Sequence, residues 1–394
     1  MSRGTRLLVG AAAAGVAAVA LARPVAEALV AAMEARLNGL APQPSTPVSE
    51  RAATLHAGLR VADLHADSLL FGRDLLARGT RGHVDVPRMA EGRVALQVLS
   101  MAVKTPVGLN IERNADTSDE ILLIALAKRW PRETWGRNLP RVAYLAAQAR
   151  LLEDRSGGAF RVIESRMDLD EHLAAFAAAP GRTAGLLSIE GAHALDGDAA
   201  NVDVVADLGI RMISPAHFFD TAFGGSAHGM EQGGLTAAGR EMIRRMEARG
   251  VILDIAHASR RTIDDALAIA TRPVVASHTG VRGIADNARN LSDQQLAGVA
   301  ATGGLVGIGF WPTACGGDDA AAIARSVAYA VERIGAAHVA LGSDWDGAVT
   351  VPFDAANVVR LTDALLDVGL SEDDIRAVMG ENALRVTREV LPEV

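Results

Sequence analysis

Five apolar segments of this chain each end in a histidine or a carboxylate. They are Val61–Asp67, Leu186–Glu190, Val251–His257, Val274–His278 and Val339–Asp344. Short runs rich in Val, Ile and Leu read as strands. Their near-continuous apolar character fits strands covered on both faces, as in a parallel sheet. A polar side chain that closes such a strand is costly unless it is paired or used. The chain therefore needs a fold that gathers the carboxyl ends of several parallel strands in one place. In His65-Ala66-Asp67 the two polar side chains also share a face, because strand side chains alternate.

The intervening sequence supplies the rest of that fold. Val94–Val103, Arg211–Pro215 and Leu305–Phe310 are further apolar runs, and the third strand is predicted over Ala184–Glu190. Three- and four-residue apolar steps predict helices over Ile111–Trp130, Leu139–Asp154, Asp168–Ala178, Val202–Leu208, Thr236–Arg249 and Arg260–Ala270. More follow after Ser292, over Ala320–Ile334, Ala355–Asp367 and Asp373–Met379. Gly250 stands where a left-handed residue stops a helix, and Ser292 is a candidate N-cap. Strands alternating with helices predict an α/β fold, a (β/α)8 TIM-like barrel with a helical insertion after strand two. A barrel of about 250 residues plus insertions fits within 394 residues as one domain, assigned to 51–394.

The N-terminus has a different grammar. Arg3 and Arg6 precede the apolar run Leu7–Ala22, and Ala20-Leu21-Ala22 has the small-x-small form of a cleavage site. Residues 1–22 are thus expected to be a signal peptide, and the protein to be exported to the periplasm or beyond. The apolar run is shorter than the roughly 20 residues that span a bilayer. Left uncleaved it would be an N-terminal anchor, the sole membrane contact expected. Residues 23–50 read as a linker or pre-domain segment, with Pro, Ser and Thr concentrated over 41–49. The only cysteine, Cys315, excludes an intrachain disulfide. Net charge is −8 and only Lys104 and Lys128 are lysines, so no basic patch suited to nucleic acid is present.

In a barrel His65, Asp67, Glu190, His257, His278 and Asp344 would meet at one mouth. Neutral imidazoles mixed with carboxylates suit zinc-type divalent ions. A glutamate can bridge two such ions, which can share a hydroxide at neutral pH.

These segments resemble those of the membrane (renal-type) dipeptidases, a peptidase family among the amidohydrolase-like metal barrels. The resemblance rests on Asp63-Leu64-His65-Ala66-Asp67, Ile189-Glu190-Gly191, Gly234-Leu235-Thr236, Asp254-Ile255-Ala256-His257-Ala258-Ser259, Ser277-His278, Arg289-Asn290 and Gly342-Ser343-Asp344-Trp345-Asp346-Gly347. They fall in the family's order from about Arg60 to the C-terminus. The resemblance implies a metallo-exopeptidase with two Zn2+, or other divalent ions, per chain. His65 and Asp67 would hold one ion, His257 and His278 the other, with Glu190 and a hydroxide bridging both. The hydroxide would attack the peptide carbonyl of a dipeptide. Asp344 would handle the proton, His217 would contact substrate and polarise the carbonyl, and Arg289 would bind the terminal carboxylate. Asp344 is preferred to Asp346 because it ends the strand directly. A homodimer rests on the resemblance alone.

The segment after His217, Phe218-Phe219-Asp220-Thr221, departs from the polar, asparagine-containing run of the family. His193 and His228 match no ligand and read as loop residues near the site. Two alternatives keep the metals: hydrolysis of another amide, a lactone or a phosphotriester, or a non-catalytic metal-binding barrel. Retention of Arg289 favours a substrate with a free carboxylate.

Overall fold

The computed structural model describes residues 24–42, 47–108 and 110–394. The expected signal segment 1–22 lies outside these residues. Eight parallel strands close into a barrel: β1 Val61–Ala66, β2 Val94–Met101, β3 Thr183–Ile189, β4 Ile210–Ile213, β5 Ile252–Asp254, β6 Val274–Thr279, β7 Leu305–Ile308 and β8 Val339–Leu341. Pairing runs β1–β2–β3 and onward to β8, and Leu341 pairs with Asp63 to close the ring. The predicted (β/α)8 barrel is thus the observed fold.

Every residue of the eight strands is buried, which explains why the runs are apolar throughout. One set of their side chains, including Ala62, Leu64, Leu96, Val98, Leu186, Met212 and Ile252, packs with Leu384 and Val390 of the C-terminal helix Asn382–Val390. The other end of the barrel is left for polar groups.

Several elements differ from the sequence reading, each for a local reason. The helix expected over Ile111–Trp130 shrinks to Ile121–Ala127. Asn110 Oδ1 accepts the N–H groups of Glu112 and Arg113, and Asn114 Oδ1 accepts that of Asn110. These side chains give the backbone an alternative to helix, so 110–114 is a turn. An extra strand, Phe160–Ile163, pairs in parallel with the first half of β3, Thr183–Leu186, ahead of the residues that pair with β4. Strand five stops at Asp254 and strand eight at Leu341, so His257 and Asp344 stand in the following turns rather than on the strands.

The segment read as a linker contains a helix over 24–37 and a short strand, Gly39–Leu40. That strand pairs in parallel with Thr350–Val351, just beyond β8. The capping signals hold well: Ser292 and Gln295 form a reciprocal box, and Gly250 ends its helix at φ 63°. No helix among the described residues is long and apolar enough to cross a membrane.

Candidate metal centre

Glu190 follows β3 directly and is the hub of the barrel mouth. Its Oε1 lies 3.6 Å from His65 Nε2, 3.1 Å from His257 Nε2 and 3.2 Å from His278 Nε2. Its Oε2 lies 3.3 Å from His217 Nε2. His65 Nε2 is also 3.4 Å from Asp67 Oδ2 and 3.9 Å from Asp344 Oδ1. All seven of these side chains are buried. Three overlapping groups could each hold an ion: His65 with Glu190 and His278, Glu190 with His217 and His257, and His65 with Asp67 and Asp344. The barrel thus joins strand ends one, three, four, five, six and eight in one cluster.

The donor set fits cations. Both ring nitrogens of His65, Oδ1 of Asp67 and Nδ1 of His257 are buried without a hydrogen-bond partner. Such atoms are expensive unless something else satisfies them. The Nε2 atoms of His257 and His278 face each other at 3.0 Å. Two lone pairs converging on one carboxylate suit an ion between them.

Titration points the same way. Burial pushes Glu190 well above the usual carboxylate range, with Asp67 and Asp344 adding to the push and the His65 charge opposing it. Asp344 is raised to about 8, chiefly by burial. For His65 burial acts downward, yet Glu190, Asp67 and Asp344 outweigh it and hold the ring up at about 10. Burial, with neighbouring positive groups, keeps His217, His257 and His278 well below their ordinary value. His217, His257 and His278 are therefore in the neutral, ligand form, whereas the three carboxylates hold the proton on His65, a charge that a divalent ion among them would replace.

Supporting groups orient this cluster. Ser277 Oγ donates to Asp254 Oδ2 at 2.6 Å and lies 2.8 Å from His278 Nδ1. That contact fixes the lone pair of His278 on Nε2, facing Glu190. Beneath β1, Asp63 accepts the N–H of Ser343 at 2.7 Å, tying strand one to the turn after strand eight. Sequence reading did not single out Asp63, Asp254, Ser277 or Ser343. For the two aspartates a signal was present: Asp63 stands two residues before His65 and Asp254 three before His257.

The turn after β8 is unusual. Asp344, Asp346 and Ala348 all have left-handed backbones, at φ 60°, 63° and 62°. Each costs roughly 1 kcal/mol or more and persists only where surroundings enforce it. Gly347 is required: a Cβ there would sit 2.0 Å from Asp344 Oδ1. The two aspartates of this turn make different contacts. Asp344 points to His65, whereas Asp346 points away, onto Arg73 and His83.

Arg289 is buried beside the site, donates to the carbonyl of His278 and stacks 5.7 Å from the Trp311 ring. Among the described residues it forms no ion pair with a carboxylate, although Asp344 and Glu190 lie near enough to act on its charge. His217 follows β4; Phe218 packs against its ring and that of His257. Asp220 accepts the N–H groups of Ser226 and Glu231 and so folds the loop that departs from the family pattern. His193 packs on Phe219, and His228 lies 5.3 Å from the His257 ring, so both stay at the periphery of the cluster.

Comparisons with known proteins converge on one family. Residues 49–392 match the model of membrane dipeptidase, peptidase family M19. A dipeptidase (tcpJ) of Claviceps purpurea is 29% identical over 320 residues, covering 78% of this chain and 69% of its own length. A solved metallo peptidase of family M19, dipeptidase AC, superposes with a TM-score of 0.69 at 25% identity, over 85% of this chain and 99% of its own. A metallo peptidase from Rhodobacter sphaeroides, solved with a phosphinate mimic of the dipeptide L-Ala-D-Ala, gives 0.69 at 24% identity, over 84% and 99%.

Proposed function

From the premise that the chain belongs to the membrane dipeptidase family, peptidase family M19, we propose that it hydrolyses dipeptides with a pair of zinc-type ions at the barrel mouth. One observation carries the reading: the convergence of three imidazole Nε2 atoms on a single oxygen of Glu190, at 3.1–3.6 Å. His65 and Asp67 would hold one ion and His257 and His278 the other, with Glu190 between them. Bound there, the ions would supply Lewis-acid activation of a water and of the scissile carbonyl.

The chain's own residues do the rest. Asp344 takes the proton of the attacking water and returns it to the departing amine. His217, on the far oxygen of Glu190, donates to the carbonyl oxygen as charge develops. Arg289, buried and without a carboxylate partner, receives the free carboxylate of the substrate. That contact limits substrates to two residues, since the carboxylate must lie a fixed distance from the reacting carbonyl. The phosphinate mimic of L-Ala-D-Ala held by the Rhodobacter sphaeroides neighbour makes a D-residue at the second position the first variant to try. Export follows from Arg3, Arg6 and Leu7–Ala22, with cleavage after Ala22 leaving the helix over 24–37 intact.

Elemental analysis of purified wild type and His257→Ala tests the centre. About two ions per chain are expected for wild type and about one for the variant. An unchanged complement would remove His257 from the ligand set. A panel of L-L and L-D dipeptides, with lactones and phosphotriesters alongside, tests the substrate class.

A further inference from the structure

The helix over 24–37 belongs to none of the strand-helix units of the barrel, yet it buries a carboxylate. Glu34 is 1% exposed, and both of its oxygens are engaged. Oε1 lies 2.6 Å from Arg73 Nε, and Oε2 accepts from Arg81 Nε at 3.1 Å. Arg73 continues the chain of contacts. It donates to the carbonyls of Arg81 and Val84, and its remaining nitrogen bonds Asp346 Oδ2. Asp346 is fully buried and accepts Ser68 Oγ at 2.6 Å and the His83 N–H at 2.6 Å. Its own N–H donates to His83 Nδ1 at 3.0 Å, while His83 Nε2 lies 3.0 Å from the Gly39 carbonyl. The backbone thereby fixes His83 as acceptor at Nδ1 and donor at Nε2.

A second tether runs in parallel. Asn38 Oδ1 accepts the N–H of Ala348 at 2.8 Å, and Gly39–Leu40 pairs with Thr350–Val351. The N-terminal segment thus grips the turn after β8 at Asp346, Ala348 and Thr350. The same turn holds three left-handed non-glycine residues, including Asp344. A backbone of that kind needs outside support; residues 24–40 supply it directly at Ala348 and Thr350 and, through Arg73 and His83, at Asp346.

We propose that Glu34 is a positioning residue for the reaction: through Arg73 and Asp346 it holds residues 343–349 in the turn that presents Asp344 to the metal cluster. This rests on the reading of Asp344 as the proton carrier. Glu34 touches neither substrate nor ligand residues, and Trp345 separates Asp346 from Asp344 along the chain. A buried ion pair with no such role would be expected to brace the helix against the barrel generally. This one ends on the catalytic turn, beside Ser68 and so next to Asp67.

The test uses the full chain with E34Q and N38A, read by hydrogen exchange and by kinetics. In both variants amide exchange should rise about tenfold or more over 343–350, with β5 and β6 as protected as in wild type. For E34Q, kcat on a dipeptide should fall about tenfold with KM changed less than about threefold, because the lost term belongs to the chemical step. Zinc content should match wild type. Unchanged exchange over 343–350 in both variants overturns the tether. A looser turn with unchanged kcat overturns the positioning role. So does exchange that rises evenly through the barrel, which would make Glu34 a general brace. Exchange is read without turnover, so a wild type that hydrolyses no dipeptide would sink the functional reading by itself.

Discussion

At the scale of single residues, the site is organised by what each side chain can satisfy. Glu190 can face three imidazoles at once because β3 ends one residue before it and the next residue, Gly191, turns the chain away at φ 95°. Arg289 is the residue whose role is most sharply testable. Its fork can make two parallel charged hydrogen bonds to a carboxylate, which a lysine would not reproduce. A charged hydrogen bond is worth about 1.5–3 kcal/mol, so Arg289→Ala should lower kcat/KM by roughly ten- to a hundredfold. Metal content should stay constant, and the loss should largely disappear for a dipeptide amide. Equal impairment on acid and amide would mark Arg289 as structural. The converging side chains were legible in the sequence because ligand-type residues at the ends of apolar strands are conspicuous. Their supports were not. Asp63 and Asp254 look like interruptions of a strand until the fold shows Ser343 and Ser277 hydrogen-bonded to them.

At the scale of elements, the chain is joined by side chains that reach across helices. The helix Glu50–Ala57 docks through His56, whose Nδ1 is 2.9 Å from Thr362 Oγ1 and whose Nε2 is 3.2 Å from the Gly92 carbonyl. Burial lowers this ring to about 4, with the Arg93 charge in the same direction and the Gly92 bond against it. The unfolded chain binds the proton near 6.5, the folded chain only near 4, so the unfolded state holds more protons between these values. His56 therefore contributes stability that is present above about pH 6.5 and is lost as pH falls toward about 4. Denaturant unfolding of wild type and His56→Gln at pH 7 and pH 5 should differ in pH sensitivity by about 2 kcal/mol. Equal sensitivity in the two proteins would refute the assignment. Element types were readable from apolar periodicity, and their limits were readable wherever a cap such as Ser292 or Gly250 stood. Where polar side chains folded the backbone locally, as Asn110 and Asn114 do, periodicity overran the true helix. The helix over 24–37 was missed because what anchors it, Glu34, meets its partners only in three dimensions.

At the scale of the whole molecule, the centre and the barrel stabilise each other. Ions that bind the folded mouth and not the open chain raise stability by mass action, by about 2.7 kcal/mol at a hundredfold excess over Kd. The thermal midpoint should thus fall on chelation and climb again with added zinc in a concentration-dependent way. Calorimetry of chelated and zinc-loaded protein checks this; identical midpoints would speak against ions held by the barrel mouth. Closure of the ring has a further consequence, for the order in which the protein is made. Ser343 hydrogen-bonds Asp63 across 280 residues, and Asn38 holds Ala348 across 310. Synthesis runs from the N-terminus, so β1 waits with one edge unpaired until β8 has emerged, and contacts of such long sequence separation form slowly. The nascent chain has no finished mouth in which to trap an ion prematurely. It stays open along one seam until Val339–Leu341 has been made, so the mouth is completed only after every other strand of the ring is in place.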